Sequence, residues 1–423
     1  MQLISFLKKD FVKNVSTLIT GSFISQAIFF LILPVLTRLF DKDTFGIFLL
    51  FTSSLYILRP LTSLSLELVI LIPKRNKDAV NLLFTSIFIG FILNSLLLVV
   101  IYFLKDFILS YFNLKTLASS IYLIPLGLFL LNTIEVLNYW NNRKHFFKHI
   151  ALGNIEKSIV INSFQVYTGL SSFKSIGLIP GYLLGLGAQF VTLLMLSYKS
   201  VVKYFKHVNC LRMLYLLKKH KDIPIFNSLL SFSDRLSAEL PIILIAIYFG
   251  VDEVALYGLA VKFLKTPPGF IGEPLSQVFF NKASDTFIKK ENLFKLVVKT
   301  YKNIFMIGII IFSIIFVLSF FLTDILGENW NNTGVFVRIL LPLIFLSFLN
   351  APISSIITIL KKQKNILSLD ILKLLLRFCG IYIGYKFYNS MTIAILLFSF
   401  IGIAYNLFLM YYFLSISKKI KQQ

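Results

Sequence analysis

The chain has 423 residues, of which 57% are hydrophobic and only 14% are charged, and its formal net charge is +23. Soluble proteins carry about 25% charged residues, so this composition excludes a molecule whose whole surface faces water. Apolar stretches of 18 or more residues recur along the length of the chain. Each can cross a hydrocarbon core of about 30 Å as a helix of about 20 residues. The sequence therefore predicts an all-α polytopic membrane protein.

The apolar stretches divide the chain into twelve predicted transmembrane helices. In chain order these spans are 15–37, 45–72, 80–104, 117–140, 150–171, 176–198, 223–249, 254–280, 297–322, 335–360, 366–386 and 391–415. Each should be a helix because backbone polar groups find no water in lipid and must bond within their own segment. The first stretch is too long for the apolar part of a signal peptide and lacks a small-residue cleavage site, so we expect it to stay in the membrane.

The longest loop, 199–222, separates the first six spans from the last six. Its basic and aromatic residues are typical of a segment at the membrane interface. We therefore predict an N-terminal six-helix lobe at 1–198, a basic cytoplasmic linker at 199–222 and a C-terminal six-helix lobe at 223–423.

Similar sequences follow the first and the seventh span. They read LFDKDTFGIF at 39–48 and FGVDEVALYGLA at 249–260. In each, an acidic turn is followed by an aromatic residue and a glycine, and the two glycines lie 212 residues apart, half the length of the chain. Together with six plus six spans, this repetition favours a duplicated transporter with a central site between its halves.

Lysine and arginine alternate between the loops on the two sides of the predicted bundle. The N-terminal segment and every second loop after it hold 28 of the 42 Lys and Arg residues, whereas the intervening loops hold six. Cytoplasmic loops are enriched in these residues, so both termini are expected in the cytoplasm. The basic residues lie in separate short loops, so the net charge is interpreted as a topology signal and no nucleic-acid partner is predicted.

The sequence offers little support for catalysis or metal binding. Cys210 lies in a loop and Cys379 in a span, so neither a disulfide nor a zinc cluster is indicated. His145 and His149 could share a helix face, but the lysine and arginine residues around them favour an interfacial position over a metal site. The loops are too short for a catalytic domain. We therefore predict a transporter rather than an enzyme, without a cofactor.

Fifteen ionisable side chains lie within the predicted spans. They are Arg59, Glu67, Glu135, Glu156, Lys157, Asp234, Arg235, Glu239, Lys262, Lys265, Glu273, Arg338, Asp370, Lys373 and Arg377. A charge at a helix centre costs roughly 2.5–3.5 kcal/mol, so fifteen facing lipid would cost on the order of 40 kcal/mol. That exceeds the net stability of a folded protein, about 5–15 kcal/mol. Most must therefore pair, face a hydrated interior or reach an interface, and Glu135, Glu156, Lys157 and Arg338 are expected at an interface.

The deeper charges concentrate in spans 2, 7, 8 and 11. Span 2 carries Arg59 and Glu67 with polar residues between them. Span 7 carries Arg235 and Glu239 four residues apart, so that they can pair along one helix face. Such charges either line a hydrated cavity or tie helices together as buried pairs.

Span 8 combines two cations with residues that interrupt helices. Lys262 and Lys265 are followed by Pro267, Pro268, Gly269, Gly272, Glu273 and Pro274. A proline in a helix interior removes a hydrogen bond and clashes with the preceding turn, so this span is predicted to be a broken helix. Cations beside such a break are typical of an anion site near the midplane of a transporter.

Several local motifs together resemble a known family. Span 1 ends in Pro34 and then Thr37-Arg38-Leu39-Phe40, followed by an acidic turn and Phe-Gly. The stretch DRLSAELPIILIAIYFGVDEVALYGLAVKF, which begins at Asp234, precedes the proline-rich eighth span. The chain resembles the bacterial polysaccharide-unit flippases, the O-antigen and capsule repeat-unit translocases. They belong to the superfamily of multidrug, oligosaccharidyl-lipid and polysaccharide exporters.

The resemblance implies a V-shaped bundle of two six-helix lobes around a cavity lined chiefly by spans 1, 2, 7 and 8. The implied substrate is an oligosaccharide repeat unit on undecaprenyl diphosphate, moved across the bacterial cytoplasmic (inner) membrane by alternating access. The resemblance also implies three partners: membrane lipid, a polysaccharide polymerase and a chain-length regulator. An H⁺ or Na⁺ gradient is expected to drive the transport.

We combine the resemblance with the charged positions into hypotheses about single residues. Diphosphate binding is assigned to Arg59, Arg235, Lys262 and Lys265, because arginine offers paired donors and lysine a point charge. Ion coupling or gating is assigned to Glu67, Asp234, Glu239 and Glu273. The hinge of span 8 is assigned to Pro267, Pro268, Gly269 and Gly272.

Other functions remain open. A drug or cation exporter of the same fold would need an acidic cavity, whereas the deep charges here include several cations. A major-facilitator sugar porter would carry a GxxxDRxGRR-like loop after span 2, where this chain has PKRNKD at 73–78. An integral membrane polysaccharide polymerase or acyltransferase is the enzyme alternative.

Overall fold

The computed structural model of this protein describes residues 2–111, 118, 120–171, 177–289, 291–360 and 362–419. Every regular element in these residues is helical. The first six α-helices are α1 (Gln2–Leu39), α2 (Lys42–Ser63), α3 (Asn76–Tyr111), α4 (Ile124–Arg143), α5 (Phe147–Leu170) and α6 (Leu178–Phe205). A 3-10 helix at Leu66–Leu71 follows α2, and another at Ile121–Leu123 precedes α4.

The second half of the chain starts with a short helix that leads into six long ones. The helices are α7 (Cys210–Lys219), α8 (Asp222–Phe249), α9 (Val251–Ile288), α10 (Leu293–Phe320), α11 (Leu322–Leu326), α12 (Asn331–Asn350), α13 (Ile356–Ile359), α14 (Gln363–Tyr388) and α15 (Met391–Lys419). Short 3-10 helices lie at Glu328–Trp330 and Ile353–Ser355. The side chain of Asn209 starts α7 by accepting a hydrogen bond from the Leu211 N–H at 2.8 Å, as expected of an N-cap.

Twelve helices in the described part of the chain have 20 residues or more, one for each predicted span. Eight of them are long and apolar enough to cross a membrane. The other four are α5, α8, α9 and α14, which carry eleven of the fifteen ionisable residues expected in spans. The predicted fold class, an all-α polytopic membrane protein with twelve long helices, is confirmed.

The chain divides into two compact units, unit 1 at Met1–Ile243 and unit 2 at Leu244–Gln423, so the division falls within α8. In unit 1, α5 packs against α1 and α6, and α4 packs against α2, α3 and α6. At one end of this unit, Leu216 of α7 packs into an apolar cluster that contains Trp140 of α4 and Leu83 of α3. The short helix α7 is thereby held against unit 1.

In unit 2, α12 packs against α9, α10 and α15, and α14 packs against α15. Gly384 of α14 permits a close approach, because a methyl group at this position would lie 2.5 Å from the Cα atom of Ala394 in α15. Small residues commonly let membrane helices approach each other in this way. Asn389, which follows the last residue of α14, has a left-handed conformation with φ of 45°.

The second predicted span, 45–72, is not one helix, and the expectation of a continuous span was wrong. The helix α2 ends at Ser63, and Leu64 and Ser65 both have left-handed conformations, with φ of 50° and 49°. The chain continues as the 3-10 helix Leu66–Leu71, most of which is buried. Glycine and asparagine usually occupy left-handed positions, so a Leu-Ser pair gives no sequence signal for this turn. Irregular backbone of this kind is tolerated in membranes where protein buries it.

The eighth predicted span is a continuous helix, and the expected interruption is absent from it. The helix α9 runs from Val251 to Ile288 and passes through Pro267 and Pro268. Membrane helices tolerate proline because neighbouring helices and Ser or Thr side chains can satisfy the backbone groups that it frees.

Gly250 alone connects α8 to α9. Its φ of 94° lies in the region that favours glycine. Asp252 and Glu253 occupy the first turn of α9, where acidic side chains interact favourably with the partial positive charge of a helix N-terminus. The acidic turn that the sequence indicated is therefore one glycine followed by the start of the next helix.

Candidate functional site

Three ionisable side chains cluster in unit 1 near the end of α2. The Nη2 atom of Arg59 lies 3.8 Å from Oε1 of Glu67 and 3.5 Å from Oε2 of Glu135. The Arg59 side chain is 22% exposed, whereas that of Glu67 is 10% exposed. In a continuous helix, residues eight positions apart are separated by about 12 Å along the axis. The left-handed turn at Leu64 and Ser65 therefore lets Glu67 approach Arg59.

Glu135 is a member of this cluster that the sequence analysis missed, because it assigned this residue to an interface. Asn132, one turn earlier on α4, donates a hydrogen bond from Nδ2 to Oγ1 of Thr62 at 3.1 Å. The α4 face that carries Asn132 and Glu135 therefore packs against the end of α2. Asn132, Glu135 and Tyr139 recur at helical spacing on one face, and this polar stripe was the signal in the sequence that could have identified Glu135.

Arg143, the last residue of α4, holds the segment that follows the 3-10 helix. Its Nη1 atom donates to the carbonyl oxygen atoms of Ile70 and Leu71 at 3.1 and 3.3 Å, and its Nη2 atom donates to that of Pro73 at 2.6 Å. Its Nε atom donates to Oδ1 of Asn76 at 3.1 Å. These bonds satisfy carbonyl groups that the short helix leaves without a partner. Arg143 is therefore a positioning residue for the segment that carries Glu67.

Glu239 of α8 contacts α2 within unit 1. Its Oε2 atom accepts a hydrogen bond from Oγ of Ser53 at 2.9 Å, and Ser53 is 1% exposed. The predicted ion pair between Glu239 and Arg235 is not found among the ion pairs of the described side chains. Arg235 and its neighbour Asp234 are both exposed. An exposed arginine gains little from a surface ion pair, whereas the carboxylate gains a hydrogen bond to a buried hydroxyl.

The remaining predicted site residues lie on α9 in unit 2. Lys262 is half-buried and Lys265 is exposed. Among the predicted hinge residues, Pro268 is buried, Pro267 and Gly272 are half-buried, and Gly269 is exposed. The side chain of Glu273 lies outside the described part of the structure. The roles assigned to these residues stay predictions.

The described residues contain no group of three or more His, Cys, Asp or Glu side chains that could hold a metal ion. The Nδ1 atom of His149 lies 3.0 Å from Oδ1 of Asn141, so this ring nitrogen is within hydrogen-bond distance of the Asn141 side-chain amide. Cys210 and Cys379 are both free thiols and exposed.

Comparison with known proteins identifies the family and supports the fold. The sequence profile of the family described as "Polysaccharide biosynthesis protein" matches residues 35–335. No protein with a curated functional description matches the sequence. An inward-facing multidrug resistance MATE family transporter of the MOP superfamily superimposes with a TM-score of 0.72 at 14% identity, covering 95% of this chain and 99% of the other.

Two further solved structures have the same fold. A MOP superfamily transporter from Pyrococcus furiosus, described with "reverse polarity of binding pocket", has a TM-score of 0.65 at 14% identity, with 97% of each chain covered. An outward-facing MATE family transporter has a TM-score of 0.62, also at 14% identity and with 97% of each chain covered. At 14% identity the solved structures show the fold alone. The profile match covers most of the sequence and therefore shows the family. The chain therefore belongs to the family of polysaccharide biosynthesis proteins and has the transporter fold of the MOP superfamily.

Proposed function

We propose that this protein is a flippase for an oligosaccharide repeat unit linked to undecaprenyl diphosphate. It would move this cargo by alternating access from the cytoplasmic to the periplasmic leaflet of the inner membrane. The polysaccharide biosynthesis family supports the class of cargo, and the transporter fold supports the class of activity. A lipid-linked saccharide suits a bundle of membrane-spanning helices, because the polyprenyl tail can stay in lipid while the diphosphate and the sugars occupy a hydrated groove.

The observation that carries this proposal is the way in which Arg59 is held. Its distances of 3.8 and 3.5 Å to the two carboxylates exceed the length of a strong charge-assisted hydrogen bond, about 2.7–2.9 Å. Arg59 is therefore not locked to either partner and retains donors for another acceptor. A guanidinium group presents two parallel N–H groups to a phosphate, which makes arginine well suited to binding a diphosphate.

The two carboxylates beside Arg59 provide a means of coupling transport to protons. A diphosphate that approaches Arg59 is repelled by Glu67 and Glu135, so its binding favours protonation of one of them. We propose Glu67 and Glu135 as the groups at which an H⁺ or Na⁺ gradient is coupled to transport.

The other residues assigned from the sequence complete the proposal. Arg235, Lys262 and Lys265 are proposed as further cations for the diphosphate. Asp234, Glu239 and Glu273 are proposed to act in gating, with bending of α9 at its proline and glycine residues.

The test uses a bacterial strain that lacks its own copy of this protein. We expect deletion to accumulate complete single repeat units on the cytoplasmic leaflet, and the wild-type protein to clear them. If the protein were a polymerase, its deletion would instead leave single repeat units on the periplasmic side. Deletion without cytoplasmic accumulation would therefore refute the flippase proposal.

Variants in the same strain test the role of the cluster. We expect Arg59→Gln to slow clearance about tenfold or more, because a hydrogen bond to a charged group contributes about 1.5–3 kcal/mol. Glu135→Gln should also slow clearance, because it removes a carboxylate proposed to act in ion coupling. Arg338→Gln is the matched control, since Arg338 stacks on Phe320 and donates to the carbonyl oxygen of Ser319. Normal clearance by Arg59→Gln, at wild-type levels in the membrane, would contradict the role proposed for Arg59.

A drug or cation exporter is the second candidate, and one observation favours it. The cluster around Arg59 contains two carboxylates for one guanidinium group, and its net negative charge suits a cationic substrate. The fold also occurs in a multidrug resistance transporter. Efflux of a cationic dye from cells without exporters of their own tests this candidate. Unchanged dye retention would exclude it.

A further inference from the structure

A polar cleft of about 240 Å³ lies within unit 2, between α12, α14 and α15. Its lining includes Ser354, which lies in the connection between α12 and α14, and none of the residues assigned above to the cargo. Asp370, Lys373 and Arg377 of α14 line it together with Tyr405 of α15. The sequence placed these three charged residues in a span without a role.

One part of the cleft holds an ion pair between Lys373 and Asp370. Lys373 donates from Nζ to Oδ1 of Asp370 at 2.6 Å, and the hydroxyl of Tyr405 donates to the same oxygen at 2.7 Å. The Lys373 ammonium group also lies 4.3 Å from the centre of the Tyr405 ring. These contacts fix the carboxylate and leave two N–H groups of the lysine for other acceptors.

Arg377, one turn further along α14, has different surroundings. Its guanidinium group stacks on the ring of Phe398 at 4.4 Å. Its Nε atom is buried and has no hydrogen-bond partner among the described residues. A cation–π contact orients the group without using the N–H donors in its plane. A buried donor without a partner is unfavourable, so the guanidinium group of Arg377 keeps unused hydrogen-bonding capacity beside the cleft.

The charges of the described lining residues add up to a positive cleft. One carboxylate faces two cations, and the direct ion pair uses only Lys373. The opposite wall is neutral and held in place by hydrogen bonds. Asn350 donates to the carbonyl oxygen of Asn406 at 2.8 Å, and its own Oδ1 accepts a hydrogen bond from the Tyr301 hydroxyl at 2.8 Å. A fixed polar wall opposite an arginine provides a preformed site for an anion.

We propose that this cleft is an anion-binding site that takes a phosphate group, with Arg377 as its main ligand and Lys373 as the second. The planar N–H groups of arginine match the geometry of a phosphate. The volume lies below the range of about 300–1,000 Å³ that encloses drug-sized ligands, so the cleft takes a headgroup-sized anion rather than a saccharide chain. A phospholipid headgroup and the diphosphate of a lipid carrier both supply this chemistry. The site does not require that the protein be a flippase.

A thiol introduced into the cleft provides a local measure of binding. The variant Ser354→Cys, made with Cys210→Ser and Cys379→Ser, is purified in dodecyl maltoside, which contains no phosphate, and alkylated with a maleimide. Inorganic diphosphate at about ten times its Kd should slow alkylation about tenfold, relative to sodium chloride of equal ionic strength. A second arm adds phosphatidylglycerol to the micelles. The same assay on Ser110→Cys, an exposed position in unit 1, should show no slowing.

The two arms identify the source of the phosphate. Protection by diphosphate alone supports a free or carrier diphosphate as the ligand, and protection by phosphatidylglycerol supports a phospholipid headgroup. Absence of protection in both arms would overturn the proposal.

Substitutions of the proposed ligands test the site directly. Arg377→Gln should raise the Kd for diphosphate about tenfold or more, and Arg377→Lys should raise it less. Arg338→Gln, at a position outside the cleft, should leave the Kd that alkylation at position 354 reports unchanged, and the clearance assay in cells reads the proposed flippase function separately. Asp370→Asn removes the negative charge of the cleft and should lower the Kd several-fold, which keeps the proposal testable if Arg377→Gln does not fold. An unchanged Kd in Arg377→Gln, or a higher one in Asp370→Asn, would overturn the proposal.

Discussion

At the scale of single residues, several charges of the spans are offset by partners on other turns or other helices. Arg59 shares two carboxylates, Lys373 contacts Asp370 at 2.6 Å, and Arg338 donates to the carbonyl oxygen of Ser319 at 3.3 Å. Each contact offsets part of the cost of removing a charge from water. The sequence predicted that these residues need partners. It did not predict which ones, because the choice depends on which helix faces pack together.

Arg143 provides a test at this scale. Replacing it by glutamine removes a charged donor from three carbonyl groups and one side-chain amide. We expect the free energy of unfolding to fall by about 2–4 kcal/mol, since hydrogen bonds to charged groups contribute about 1.5–3 kcal/mol each and their losses are partly compensated by water. Thermal unfolding of the purified variant in detergent measures this change.

The control for Arg143 is Arg212, which pairs with Asp78 at 2.9 Å on the surface. The side chain of Arg212 is 45% exposed, and exposed ion pairs contribute little to stability. Arg212→Gln should therefore unfold at nearly the same temperature as the wild type. A larger loss in Arg212→Gln than in Arg143→Gln would contradict the positioning role of Arg143.

At the scale of helices, the two expectations about breaks were both wrong, and for related reasons. The proline pair in α9 does not end the helix, whereas α2 ends at a Leu-Ser pair that has no strong turn signal. Proline and glycine report local preference, and membrane helices can override it when neighbouring groups satisfy the backbone. The turn after α2 exists because it is buried among other helices, and this context is not contained in the local sequence.

The left-handed turn predicts opposite effects of two substitutions at Ser65. Glycine adopts this conformation without strain, so Ser65→Gly should raise the free energy of unfolding by about 1 kcal/mol. Valine is β-branched and should lower it by about 2 kcal/mol. Chemical or thermal unfolding in detergent measures both. Asn389→Gly is the control, since asparagine already tolerates its left-handed φ of 45°, and an equal gain there would argue against strain at Ser65.

The close packing of α14 on α15 leads to a second prediction about helix stability. Gly384→Ala would place its methyl group 2.5 Å from the backbone of Ala394, so we expect a loss of about 1–3 kcal/mol in the free energy of unfolding. Gly187 of α6 is the matched control, because a methyl group there meets nothing within 4 Å. Gly187→Ala should stabilise its helix by about 0.5–1 kcal/mol. Equal effects of the two substitutions would contradict the close contact.

At the scale of the whole molecule, the chain forms two units whose long helices match the predicted spans. The bias of Lys and Arg toward alternate loops is a property of the entire chain, because no single loop is basic enough to decide the orientation. This bias predicts that both termini, and the end of unit 2 that carries the polar cleft, face the cytoplasm.

Reporter fusions test the predicted orientation. A fluorescent protein that folds only in the cytoplasm should be bright when fused after Gln423 and dark when inserted in the loop 323–334. Alkaline phosphatase, which is active only outside the cytoplasm, should show the opposite pattern. Activity of alkaline phosphatase at the C-terminus would contradict the orientation derived from the loops.

The sequence by itself determined the number of long helices, the membrane class and the family resemblance that the profile match supports. These properties follow from runs of apolar residues, and the thickness of the bilayer sets the length of each run. Only the tertiary structure decided that Glu135 joins Arg59, that Glu239 contacts Ser53 and that α2 ends in a left-handed turn. The partner of a polar group depends on the rotation of its helix and on the neighbour that it meets, and neither is contained in the periodicity of one segment.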